Sequence, residues 1–143
     1  MTDRGFSFLY RRDEGVIDRS LWARATAPLV VLFLVALWLT SATDHAANST
    51  LRIGVIAIFL IVTAVLAACF YFISAKRFRD RGRPVALALA LPAALFAAAA
   101  LHWAGPQIDD QFPRWIIMLG DVATAAVAAW CVVELGFMRG RAP

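Results

Sequence analysis

Apolar and polar residues are sorted along this chain into long blocks, not mixed as on the surface of a soluble domain. Four blocks, residues 21–42, 53–75, 85–104 and 115–137, carry almost no charge. Each holds about 20 residues or slightly more, and at about 1.5 Å of rise per residue that length crosses a hydrocarbon layer of roughly 30 Å. None alternates with the two-residue period of a barrel strand, and a spanning segment must satisfy its own backbone hydrogen bonds, so the blocks predict helices. The expected fold is all-α: a polytopic membrane protein with four transmembrane helices, forming one domain over residues 1–143. Residues 1–20 are a polar N-terminal segment, 76–84 a basic loop, and the connections are too short for a separate soluble domain. Residues 21–42 are expected to stay in the mature chain, because the run is longer than the apolar part of a cleaved leader.

Composition points the same way: 62% of the 143 residues are hydrophobic and 17% charged, too little polar surface to clothe a soluble globule. Charge then adds an orientation. Arg4, Arg11, Arg12, Arg19 and Arg24 precede or open the first block, Lys76, Arg77, Arg79, Arg81 and Arg83 fill the middle loop, and Arg139 and Arg141 follow the last block. The other two connections carry only Arg52 and Arg114. By the positive-inside rule both termini and the basic loop are expected to be cytoplasmic. Trp22 and Trp38, about 24 Å apart by helical rise, and Trp115 and Trp130, about 22 Å apart, match two interfacial belts, with Trp103 joining the outer one. Cys69 and Cys131 fall near the cytoplasmic ends of their helices, where a disulfide is not expected, and two thiols alone make a poor metal site.

The basic loop reads as a continuation of the second helix, since nothing in "AKRFRDR" breaks it before Gly82, which suits a left-handed cap, while Pro84 opens the third helix. Asp80 lies within reach of Arg77, Lys76 and Arg83. Arg19 is a further candidate partner for it. The loop cations Lys76, Arg77, Arg79, Arg81 and Arg83, with Arg19, are expected to hold the hairpin at the inner leaflet and to meet anionic headgroups or an acidic partner. Phe78 would anchor the same stretch at the membrane surface. Upstream, Asp18 is placed to cap the first helix, with Ile17 packing on Trp22 as a hydrophobic staple.

The run Ser74-Ala75-Lys76-Arg77-Phe78-Arg79-Asp80-Arg81-Gly82-Arg83 resembles the "S-A-R-R-L-H-D-x-G-R" hallmark of small bacterial inner-membrane proteins grouped as domain of unknown function 805. Ser74, Ala75, Arg77, Asp80, Gly82 and Arg83 match it, and "GVIDRSLW" is similar to the same family's opening through Gly15, Ile17, Arg19 and Trp22. Phe78 stands where the family has Leu, Arg79 where it has His, and the family's "S-G-W-W" after the loop is missing. The resemblance covers residues 15–95 and implies a multi-pass inner-membrane protein, with no activity attached.

Two acids lie within the blocks. Asp121, about 9 Å below Trp115 by helical rise, is the candidate intramembrane functional group, with His102, Thr40, Ser41 and Thr124 as available partners. Glu134, at the basic end, is expected to form an ion pair with Arg24 or a loop arginine. Gly120, Thr124 and Ala128, at four-residue spacing, and the alanine-rich third block predict close approach of the last two helices, to each other or to a partner chain. Pro28 and Pro92 are expected to kink their helices.

An enzyme needs acids, bases and nucleophiles converging on one pocket; His45 and His102 lie toward the outer side, and Asp109-Asp110 lacks metal-ligand companions. No phosphate-cradling glycine loop occurs, no cofactor is implied, and the basic residues are accounted for without nucleic acid. The expected function is therefore non-enzymatic: an accessory or assembly subunit that packs against other integral membrane proteins, or against itself, and against anionic lipid. The alternative is a small transporter or channel that uses Asp121.

Overall fold

The computed structural model describes residues 9–10, 15–43, 49–108 and 112–138. Side chains of residues 43, 49, 52 and 103–108 fall outside the description, as do residues 1–8, 11–14, 44–48, 109–111 and 139–143. The expectations for Arg4, Arg11, Arg12, His45, Arg52, Trp103, Asp109, Asp110, Arg139 and Arg141 thus lie outside the described residues.

Among the described residues every regular element is helical. Helix α1 spans Arg19–Thr43 and α2 Ser49–Asp80. A 3₁₀ turn, Val85–Leu89, leads into α3, Ala90–Ile108, and α4 runs Arg114–Cys131 before widening into a π turn at Val132–Phe137. All four are long and apolar enough to cross a membrane. Asp18 caps α1, its carboxylate accepting from the Leu21 N–H at 2.8 Å. Ile17 and Trp22 on either side of that cap are both buried in one apolar cluster. Helix α2 continues without a break to Asp80, and Gly82, at φ 63°, turns the chain toward Pro84. Pro92 falls within the first turn of α3, just beyond the 3₁₀ stretch, where it has no N–H to donate back; a change of pitch stands there.

The helices form two antiparallel hairpins, α1–α2 and α3–α4, each packed internally and meeting the other mainly at the basic end. Within the first, the rings of Phe33 and Phe59 lie 6.3 Å apart. Within the second, Gly120 brings α4 close to α3: a Cβ there would meet Leu101 Cδ1 at 2.8 Å. Thr124 donates to the Ala94 carbonyl across the same seam at 3.2 Å.

Polarity in this fold is inverted. Large side chains such as Ile61 (66% exposed) and Val122 (63%) cover the outside of the bundle, while the fully buried side chains include Arg77 (1%) and Lys76 (0%). Leaving a Leu, Ile or Val side chain in water forgoes roughly 1.5–3 kcal/mol each. Among the described residues the buried core lies at the basic end, where Ile17, Trp22, Ala25, Ile73, Ala75, Phe78, Ala88, Cys131 and Leu135 gather from α1 and the residue before it, α2, the 3₁₀ turn and the end of α4.

Candidate functional site

The motif around Arg77 sits inside this core. Because α2 stays helical through Asp80, residues 73–78 face inward at the point where the hairpins converge, and all six are buried. A buried guanidinium or ammonium costs several kcal/mol unless its donors are satisfied. Helix ends supply the acceptors, since the last four carbonyls of a helix have no partner of their own.

Arg77 is the centre. Its Nε donates to the Leu135 carbonyl at 3.0 Å and one terminal nitrogen to the Met138 carbonyl at 2.6 Å, while the other pairs with Asp80. Arg81 donates to the Glu134 carbonyl at 2.5 Å and lies 2.7 Å from the Glu134 carboxylate. Arg83 approaches the same carboxylate at 3.4 Å with its side chain 57% exposed. The π turn explains how α4 can offer so many acceptors. The Met138 N–H reaches back to Val133, five residues away, so the carbonyls of Glu134 and Leu135 are left for the arginines. Cations at a helix C-terminus also oppose the negative end of its dipole.

Four further contacts close the arrangement. Lys76 donates to the Leu9 carbonyl at 3.1 Å. The Trp22 indole N–H donates to the Ser74 hydroxyl at 3.3 Å. The Phe78 ring stacks on Trp130, centroids 5.8 Å apart. Gly136 lies against the Trp22 ring, leaving 3.3 Å for any added Cβ. Motif and opening segment thus form one clasp that joins both hairpins.

No protein-family model, curated protein or solved structure matches the chain.

The geometry shows where each expected site residue lies. Lys76, Arg77 and Arg81 turn inward, with their donors on backbone carbonyls and Glu134, instead of outward as headgroup contacts would require. Phe78 and Trp22 are core residues, not surface anchors. Asp80 pairs with Arg77, and Arg19 stands exposed at the start of α1. Glu134 takes loop arginines Arg81 and Arg83 as partners, and Arg24 is exposed. Arg79 is half-buried and donates to the Gly15 carbonyl at 3.2 Å. Trp38 and Trp115 remain exposed.

Asp121 meets His102 across the α3–α4 seam, Oδ1 at 2.9 Å and Oδ2 at 3.2 Å from Nε2, with both side chains about half exposed. Among the described residues no group of three or more His, Cys, Asp or Glu side chains is placed to hold a metal ion. The sequence missed the Trp22–Ser74 bond, the π turn and the Lys76–Leu9 contact. Only the first had a visible signal, since Trp22 and Ser74 each belong to a stretch that resembles the family.

Proposed function

We propose that the chain is a multi-pass protein of the bacterial inner membrane, with α1 to α4 crossing the bilayer and both termini in the cytoplasm. The inverted polarity carries this reading: an outside of exposed Ile, Leu and Val around a core that hides cations suits hydrocarbon as solvent and not water. The concentration of Lys and Arg at the clasp end supports the orientation, and the likeness of residues 74–83 and 15–22 to the family named above supports the bacterial assignment.

Within that membrane the protein acts as a non-enzymatic accessory or assembly subunit. Its titratable groups are spent on structure: Arg77, Arg81, Asp80 and Glu134 neutralise one another inside the clasp. The His102–Asp121 pair supports a partner role, because an acid–imidazole pair facing hydrocarbon is costly and a neighbouring subunit, or a second copy, that covers it removes the cost. Purification of the tagged chain in mild detergent tests this. Membrane subunits recovered in fixed ratio, and lost with Asp121→Asn, fit the accessory reading.

The same pair gives a second reading, a small transporter that uses Asp121. Recovery of the chain alone, with proton or solute flux in liposomes that Asp121→Asn abolishes, would select it.

A further inference from the structure

Both legs of the second hairpin change helix type at one level. On the way in, the 3₁₀ turn gives way to α3 between Leu89 and Ala90, and on the way out α4 gives way to the π turn between Cys131 and Val132. Ala88 and Cys131, beside these two junctions, are buried in the same core at the clasp. A short run of 3₁₀ or π turn next to regular α-helix marks a place where the backbone bends most readily. Helix α2, by contrast, passes through to Asp80 without a break.

Beyond the junctions little holds the two hairpins together. They touch through the 3₁₀ turn and the π turn, with only a thin contact between α2 and α3. Among the described residues α1 has no buried residue beyond Thr26, α2 none before Ile73 and α4 none before Cys131. An open cleft of about 200 Å³ separates the hairpins there, and its apolar walls lack contact atoms on the far side. Low contact density of this kind goes with a low cost of local movement. The second hairpin is stiff in itself, through Gly120 against Leu101, the Thr124–Ala94 hydrogen bond and the His102–Asp121 pair.

That pair stands on the wall of the gap. Seven residues make about two turns of helix, so His102 repeats the face of Leu95 and Asp121 that of Ala128, and both Leu95 and Ala128 line the cleft. By the same spacing Ile56 on α2 repeats the face of Thr63, and Ala99 on α3 that of Pro92, two further lining residues.

We propose that α3 and α4 swing as one arm about the two junctions, and that this movement opens and closes the outer part of the gap, so that a partner reaches His102 and Asp121 only when the arm is swung out. The inference rests on the accessory reading above and supplies the regulation of its contact site. From Ala90 to His102 the arm is about 18 Å long by helical rise, so a rotation of about 10° shifts its outer end by about 3 Å. Hinge movements of this kind fall in the microsecond-to-millisecond range.

The test uses the full chain in lipid vesicles in a Cys69→Ala background, where the buried Cys131 takes no label. Spin labels on Ile58→Cys and Val122→Cys, exposed positions on different hairpins, report the distance across the gap, and labels on Phe96→Cys and Val122→Cys report the distance within the arm. Double electron–electron resonance is expected to give an across-gap distribution at least about twice as wide as the within-arm one. Equal widths overturn the swing. In a second variant, Ile56→Cys with Ala99→Cys, a short cleavable bismaleimide ties the hairpins together. The tether is expected to lower modification of Asp121 by dicyclohexylcarbodiimide several-fold, with recovery once it is cut. Unchanged modification, or failure of the two positions to be bridged, overturns the gate. Membrane subunits recovered in the same ratio with the tether intact or cut would overturn the gate and leave the accessory reading standing, whereas recovery of none would overturn that reading and not the swing measured by the distances.

Discussion

Arg77 Nε donates to the Leu135 carbonyl at 3.0 Å, joining the end of α2 to the end of α4 across 58 residues of chain. Its two terminal nitrogens are committed to Met138 and Asp80, so one planar fork serves three acceptors. Lysine, with a single compact ammonium, cannot reproduce that geometry. Arg77→Ala strands a partly buried carboxylate and two carbonyls at the end of α4, and is expected to cost about 3 kcal/mol. Arg77→Lys should recover only a minor part. Cys131, buried in the same core, reports the loss: its labelling by a small maleimide in detergent should speed up markedly in Arg77→Ala and stay slow in the unmodified chain.

The Trp22–Ser74 bond predicts a smaller and separable effect. Trp22→Phe keeps most of the ring but leaves the Ser74 hydroxyl without its donor, at a cost of about 1 kcal/mol. Ser74→Ala should cost a similar amount, and the double variant less than the sum, since the two share one bond. Denaturation in mixed micelles, followed by circular dichroism, measures all three.

The seam of the second hairpin is tight at one point. A Cβ on Gly120 meets the end of the flexible Leu101 side chain, so Gly120→Ala can be absorbed by a rotamer change, whereas Gly120→Val pushes on Leu101 and should cost roughly 1–3 kcal/mol. Adding Leu101→Ala should return part of that loss. A strictly additive double variant would show that Gly120 and Leu101 are not in contact.

Tyr10 supplies a pH dependence outside the apolar helices. Burial, and secondarily the Cys69 thiol, raise its phenol above the ordinary value of 10.0. A group whose folded value is raised contributes stability that is complete below its unfolded value and lost as pH climbs through the folded one. Stability should therefore fall above about pH 10, and the fall should be shallower in Tyr10→Phe, which also gives up the hydrogen bond to the Ala25 carbonyl. A thermal melt series across alkaline pH checks both.

Much of this fold was legible because hydropathy period and block length report directly on helix length. Asp18, Gly82 and Pro84 mark real boundaries, since capping and left-handed turns depend on local residue type alone. The destination of the cations was not legible. Whether Lys76 and Arg77 point to lipid or inward depends on acceptors 58 or more residues distant, on the π turn of α4 and on Leu9, and no local pattern encodes that distance. Glu134 was recognisable as an ion-pair partner, but its choice of Arg81 and Arg83 over Arg24 follows from how the hairpins close.

The inward clasp is the claim on which the rest depends, and the chain carries a native reporter for it, because Lys76 is its single lysine. Acylation by an amine-specific reagent, applied to the unmodified protein in lipid vesicles open to both faces and read by mass spectrometry, measures whether that ammonium is sheltered. The account requires Lys76 to stay unmodified while the protein is folded and to react fully once it is denatured. Rapid acylation of Lys76 in the folded protein would mean that the cation reaches the headgroups, and the clasp would not exist as described.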